Sequence, residues 1–187
     1  MTFFDTSYTS PLFSLSLQRE EKLMYMKMQI HSETITTKSL PHTLSILKEV
    51  CPRVLKTQCF NNDNLPFYKE VQNTEIAHMF EHILLAHLCE MCIKHEIKGV
   101  VFNGKTNWNW IREKKGLFHI YIHPIDMVSS LFYQATRRAI EITEFIMNSD
   151  SLIKPSRFFC KKNISDTIAP SLLSYKKTSS QMATRFV

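Results

Sequence analysis

The stretch from Thr74 to Ile97 constrains this chain most, because Ile, Met, Phe, Leu and Ala surround His78, Glu81 and His82 on nearly every side of one expected helix. Met79, Phe80, Ile83, Leu84, Leu85, Ala86 and Leu88 leave few positions for water, which places that helix inside the protein. Asn73 is the expected N-cap and Glu75 suits the first turn, while Lys94, His95 and Lys98 ahead of Gly99 mark the C-terminal end. At about 100° per residue, His78 and His82 stand about 40° apart on one face with Glu81 flanking them. On an exposed helix these three would be a solvated stripe. Buried, two imidazoles and a carboxylate are costly unless hydrogen-bonded or metal-bound, so burial makes them a candidate site.

The H-x-x-E-H order resembles that of the inverted zincins, in which the two histidines bind zinc and the glutamate deprotonates a bound water. Other chemistry-bearing residues point elsewhere. Cys89-Glu-Met-Cys92 is a C-x-x-C without a second pair at zinc-ribbon spacing. Cys89 also lies eleven residues beyond His78, roughly 16 Å along the axis, too far to share an ion; buried thiols are the plainer reading. Lys105 and Arg112, interleaved with Trp108 and Trp110, could hold an anion or simply form a packed flap.

A chain of 187 residues and 22.0 kDa suits one domain with its own core. Five cysteines at irregular spacing, with no basic-then-apolar leader, fit a reduced, cytoplasmic protein. No uninterrupted apolar run approaches the roughly 20 residues of a membrane span. The net charge of +6 is concentrated in the last segment, where Lys154, Arg157, Lys161, Lys162, Lys176, Lys177 and Arg185 face one acid, Asp166. That Ser/Thr/Lys-rich segment has no helical period and reads as a flexible tail, with an acidic partner as the minority alternative. No stacking motif or groove-reading helix suggests nucleic acid.

Residues 1–21 show no clear period and read as an extension. Met24, Met26, Met28 and Ile30 alternate with Tyr25, Lys27 and Gln29, the period of a half-buried strand. A short amphipathic helix is expected from Pro41 to Val50, and a brief strand near Val54 to Phe60. Val100 to Phe102 can be a strand, with Asn103-Gly104 as a turn. Phe118, Ile120 and Ile122 alternate with His119, Tyr121 and His123, a strand with one apolar face and one carrying two histidines, ended by Pro124. Val128, Leu131, Phe132, Ala135, Ala139, Ile142 and Phe145 mark an amphipathic helix from Ile125 to Asn148.

Several of these segments, in this order, resemble the N-terminal domain of cyanophycin synthetase, which builds an aspartate-backbone, arginine-decorated polymer. Lys22-Leu-Met-Tyr-Met-Lys-Met-Gln-Ile30 is similar to that family's first strand, and Phe67-Tyr-Lys-Glu-Val71 precedes Thr74-Glu-Ile-Ala-His-Met-Phe-Glu-His82 as a similar segment precedes its H-x-x-E-H helix. Gly104-Lys-Thr106 resembles its G-R-T, and Gly116-Leu-Phe-His-Ile-Tyr-Ile122 its glycine-led aromatic strand. The ATP-grasp and Mur-ligase-like domains of polymer synthesis are not expected in a chain of this length. In some members the domain carries a metal-dependent hydrolytic site, and the resemblance implies His78 and His82 as ligands and Glu81 as base. A third ligand must come from elsewhere. Where the family tends to have glutamates, this chain has His123 and then Asp126, and either suits zinc. Against this, His123 reads equally as an exposed strand-end residue and Asp126 as a helix-start charge.

The expectation is therefore an α/β or α+β single domain at residues 22–149, between an extension (1–21) and a basic tail (150–187), both flexible. A small mixed sheet from 23–30, 100–103 and 117–123 is covered by two long helices. The leading function is zinc-dependent hydrolysis of an amide or peptide bond, with a peptide or aspartate/arginine polymer as substrate. The competing reading is a non-catalytic module that binds a polymer or protein. Neither nucleic acid nor membrane is expected as a partner, and homo-oligomerisation is left open.

Overall fold

The computed structural model describes residues 6–60, 65–123, 129–149 and 182–186. Strands β1 (Thr6–Thr9), β2 (Phe13–Glu20) and β3 (Leu23–Ile30) come first, then helix α1 (Thr43–Val50), a 3-10 segment at Pro52–Lys56, the short strand β4 (Gln58–Cys59) and the one-turn helix α2 (Phe67–Glu70). Helix α3 (Ile76–Lys94), strands β5 (Phe102–Asn107) and β6 (Leu117–His123), helix α4 (Ser129–Met147) and strand β7 (Met182–Phe186) follow. The strands form a seven-stranded sheet in the order β1-β2-β3-β6-β5-β7-β4. Each pairing is antiparallel, where a small mixed sheet was expected. The architecture is α+β, with α3 and α4 on one face of the sheet.

Alternation along the strands creates that face. Phe13, Leu15 and Leu17 of β2, Met24, Met26 and Met28 of β3, and Phe118, Ile120 and Ile122 of β6 are buried, while the residues between them are not. Within the expected extension at residues 1–21, β2 is part of the core and Tyr8 of β1 packs against it: Phe13 pairs with Ile30 and Leu17 with Met26. A tight turn with Glu21 at φ 27° reverses the chain between β2 and β3. The basic tail likewise returns a strand to the sheet, since β7 pairs with both β5 and β4.

Helix α3 is buried on all sides from Ile76 to Leu88, between β5 and β6, α4 and the 52–67 region. By length and composition it could cross a membrane, but 78% of that window is buried inside the protein, so packing accounts for its apolar surface. It is shorter than the expected 74–97. Glu75, without a side-chain cap, stands at its N-cap, because residues 74–76 bond instead to the chain at 35–37: Thr37 N donates to Thr74 O at 2.8 Å, and Ile76 N donates to Ile35 O at 3.0 Å. At its other end His95 is the C-cap and Glu96 turns to φ 56°.

Asn103 and Gly104, expected as a turn, lie inside β5, and the chain reverses later through 108–116. Gly104 is needed for a different reason. A Cβ there would stand 2.7 Å from Cδ and 2.8 Å from Cγ of Glu81, so only glycine lets the Glu81 side chain pack against the strand. Trp108 and Trp110 pack edge-on against Phe118, and Trp110 Nε1 donates to Leu117 O at 3.0 Å, which makes the loop a packed flap.

Because β2 supplies core, Phe13→Ala should lower stability in urea unfolding by about 3–5 kcal/mol, the usual range for truncating a buried phenylalanine. Ser16→Ala, on the exposed face of the same strand, should stay within about 0.5 kcal/mol of the parent. Equal effects would mean that β2 is not part of the core.

Candidate metal centre

His78 and His82 occupy successive turns of α3, both fully buried, with ring centroids 4.7 Å apart at 76°. Phe67 of α2 fixes the pair from one side, stacked on His82 at 3.7 Å and 13° and edge-on to His78 at 6.1 Å. Burial lowers the His78 pKa to about 4. It lowers that of His82 well below the ordinary value too, with the neighbouring His78 adding to the effect. Both rings are therefore neutral near pH 7, the form in which imidazole binds a metal.

Two threonines hold the rings in place. The Thr57 hydroxyl donates to Val54 O at 2.7 Å, so at 3.0 Å from His82 Nδ1 its oxygen must accept the Nδ1–H. The Thr74 hydroxyl is hydrogen-bonded to His78 Nδ1 at 2.7 Å. In the His82 ring the lone pair is then on Nε2. Such outer hydrogen bonds commonly orient metal-binding histidines. Thr74 is itself held by Thr37, whose Oγ1 accepts from Thr74 N at 3.0 Å and donates to Thr74 O at 3.2 Å.

The third donor is Cys59 of β4, buried, with its thiol 3.4 Å from His78 Nε2. One ligand atom from each of Cys59, His78 and His82 lies within 4.8 Å of the others, which suits a single ion. A thiolate and two imidazoles fit zinc and leave one coordination position for a further ligand, although they do not select zinc over every other divalent metal. His123 is not in this group. It sits exposed at the end of β6 opposite Asn103, and alternation turns it to the sheet face away from α3. Asp126 lies outside the described residues.

Glu81 is fully buried beside the donors but is not one of the three. Thr106 of β5 donates to its Oε2 at 2.5 Å, and Gly104 backs its side chain. Cys89 and Cys92, further along α3, also stand outside the group, and burial pushes the Cys89 thiol up to about 12. Sequence reasoning missed Cys59, Thr57, Thr74 and Thr106 as parts of the site. A cysteine 19 residues before His78 carries no local signal; only the sheet order brings it there.

No protein-family model matches this chain, and no curated protein matches it either.

The neutral histidines predict an acid-sensitive fold in metal-free protein. The unfolded chain protonates His78 near its ordinary value of 6.5, and the folded chain only near 4. Between those values the unfolded state binds the extra proton, so stability is full above pH ~6.5 and falls as the pH drops toward ~4, by on the order of 3 kcal/mol from this residue. His82 acts in the same direction. Urea unfolding in chelator across this window should show the slope, and His78→Gln should reduce it; an unchanged slope in that variant would contradict the assignment.

Proposed function

We propose that this protein is a metal-dependent hydrolase of amide or peptide bonds, with the ion held by Cys59, His78 and His82 and with Glu81 as the base. The observation that carries the reading is the convergence of these three buried donors, with both imidazoles held by threonine hydroxyls. A zinc-like ion would supply Lewis-acid polarisation of the carbonyl and a more acidic water. Glu81, held in place by Thr106 and outside the donor set, would take the proton of the attacking water and return it to the leaving amine. Cys59 would take the ligand role for which His123 and Asp126 were the sequence candidates. The resemblance to the cyanophycin synthetase N-terminal domain supports a peptide or aspartate/arginine polymer as substrate.

One observation favours a second reading. Cys59, His78, Glu81 and His82 are all fully buried, as in a closed structural centre, and the same chain would then be a non-catalytic polymer- or protein-binding module.

Purified protein should contain about one zinc-like ion per chain, and Cys59→Ala or His78→Ala should lose most of it by elemental analysis. Glu81→Gln, which can still accept from Thr106, should keep the metal and slow cleavage of aspartate- or arginine-containing peptides by about 10²–10⁴-fold. Full metal content with peptide cleavage absent in both parent and Glu81→Gln would establish the closed centre instead. Unchanged metal content in the Cys59 and His78 variants would overturn both readings.

A further inference from the structure

The opposite face of the sheet carries a second arrangement of reactive groups. Glu113, in the loop between β5 and β6, places both carboxylate oxygens 2.9 Å from His119 Nε2. A carboxylate accepts, so His119 Nε2 carries a proton, and in the neutral ring Nδ1 holds a lone pair. Tyr25 Oη lies 2.6 Å from that Nδ1 and donates to it. Carboxylate, imidazole and hydroxyl are thus ordered as orienter, base and nucleophile, within hydrogen-bond reach at each step. The Tyr25 and His119 rings lie parallel within 8°, with centroids 5.9 Å apart. Water and ligands reach the group, because the His119 and Glu113 side chains are 19% and 31% exposed and Tyr25 is half-buried.

The face carries charges of both signs: the acids Glu113 and Glu20 act on the Tyr25 hydroxyl, and two lysines share the face with it. Lys27 pairs with His119 across the sheet, and Lys105 pairs with Tyr121, which is itself opposite Tyr25 with ring centroids 5.2 Å apart. Two ammonium groups therefore share a face with the hydroxyl, suited to the non-bridging oxygens of a phosphate ester.

We propose that Tyr25, His119 and Glu113 form a second, metal-independent site in which Tyr25 is the nucleophile toward a phosphodiester. His119 Nδ1 takes the Tyr25 hydroxyl proton as the Oη–P bond forms and the bond to the leaving oxygen breaks, and it passes that proton to the departing alcohol. Water then attacks phosphorus, giving its proton to the same Nδ1 as the Oη–P bond breaks, and Tyr25 recovers the proton. The net change is a phosphodiester and water going to a phosphomonoester and an alcohol. Glu113 touches no substrate and is a positioning residue that holds the His119 tautomer. Burial, followed by Tyr121, Glu113 and Glu20, raises the Tyr25 pKa, so the phenol is un-ionised at rest and depends on His119 during attack.

A monoalkyl fluorophosphonate tests this directly, since attack forms the same Oη–P bond with fluoride leaving. Full-length protein in chelator is exposed to the probe, and adducts on each tyrosine are quantified by peptide mass spectrometry. Tyr25 should be labelled about 100-fold faster than Tyr68, a tyrosine that is 45% exposed and serves as the unactivated reference. His119→Ala should remove that advantage and added imidazole should restore part of it; Glu113→Gln should lower the rate and Glu113→Asp recover part of the loss. Thermal unfolding of each variant shows that its fold is kept. Labelling of Tyr25 no faster than Tyr68, an undiminished rate in His119→Ala, or no recovery with imidazole would overturn the proposal. The chelator separates this outcome from the fate of the metal centre.

Discussion

A neutral imidazole is stable inside a protein only when its N–H has an acceptor and its lone pair has something to meet, and much of the structure around α3 meets that requirement for His78 and His82. The 35–37 segment bonds to the start of α3 and so holds Thr74 under His78. The 3-10 turn at Pro52–Lys56 presents Val54 O to Thr57, which frees the Thr57 oxygen for His82. Phe67 closes the stack, and β4 delivers Cys59. Short connections that look irregular in outline thus each answer one polar atom of a buried helix.

The same economy governs Glu81. A carboxyl group inside a core needs both a donor and room, and β5 supplies the two from alternate positions: Thr106 donates the bond, and Gly104 omits the side chain that would collide. Asn103-Gly104, expected as a turn after a strand at 100–102, lies within a strand shaped around one glutamate. Local propensity favours Asn-Gly for hairpins, but packing against α3 decides the outcome.

What the sequence made legible was periodic. The alternation in β3 and β6 and the unbroken apolar surround of His78 to Leu88 located the core strands and the buried helix, because side-chain period follows directly from backbone geometry. The alternation of β6 also excludes His123: if Phe118, Ile120 and Ile122 face the helices, His123 faces away and does not reach His78. Residues 1–21 were harder, since Ser14, Ser16 and Gln18 on the other side of β2 mask the Phe13, Leu15, Leu17 series. Cys59 was not legible at all. Its place beside His78 depends on β4 at the far edge of the sheet, a long-range pairing with no local pattern.

That one ion is held by a sulfur and two imidazole nitrogens can be read from X-ray absorption at the metal edge of purified protein. The spectrum should show one sulfur scatterer at ~2.3 Å and two imidazole nitrogens at ~2.0–2.1 Å. A first shell of nitrogen and oxygen alone would contradict it, because Cys59 would then stand beside the metal without binding it.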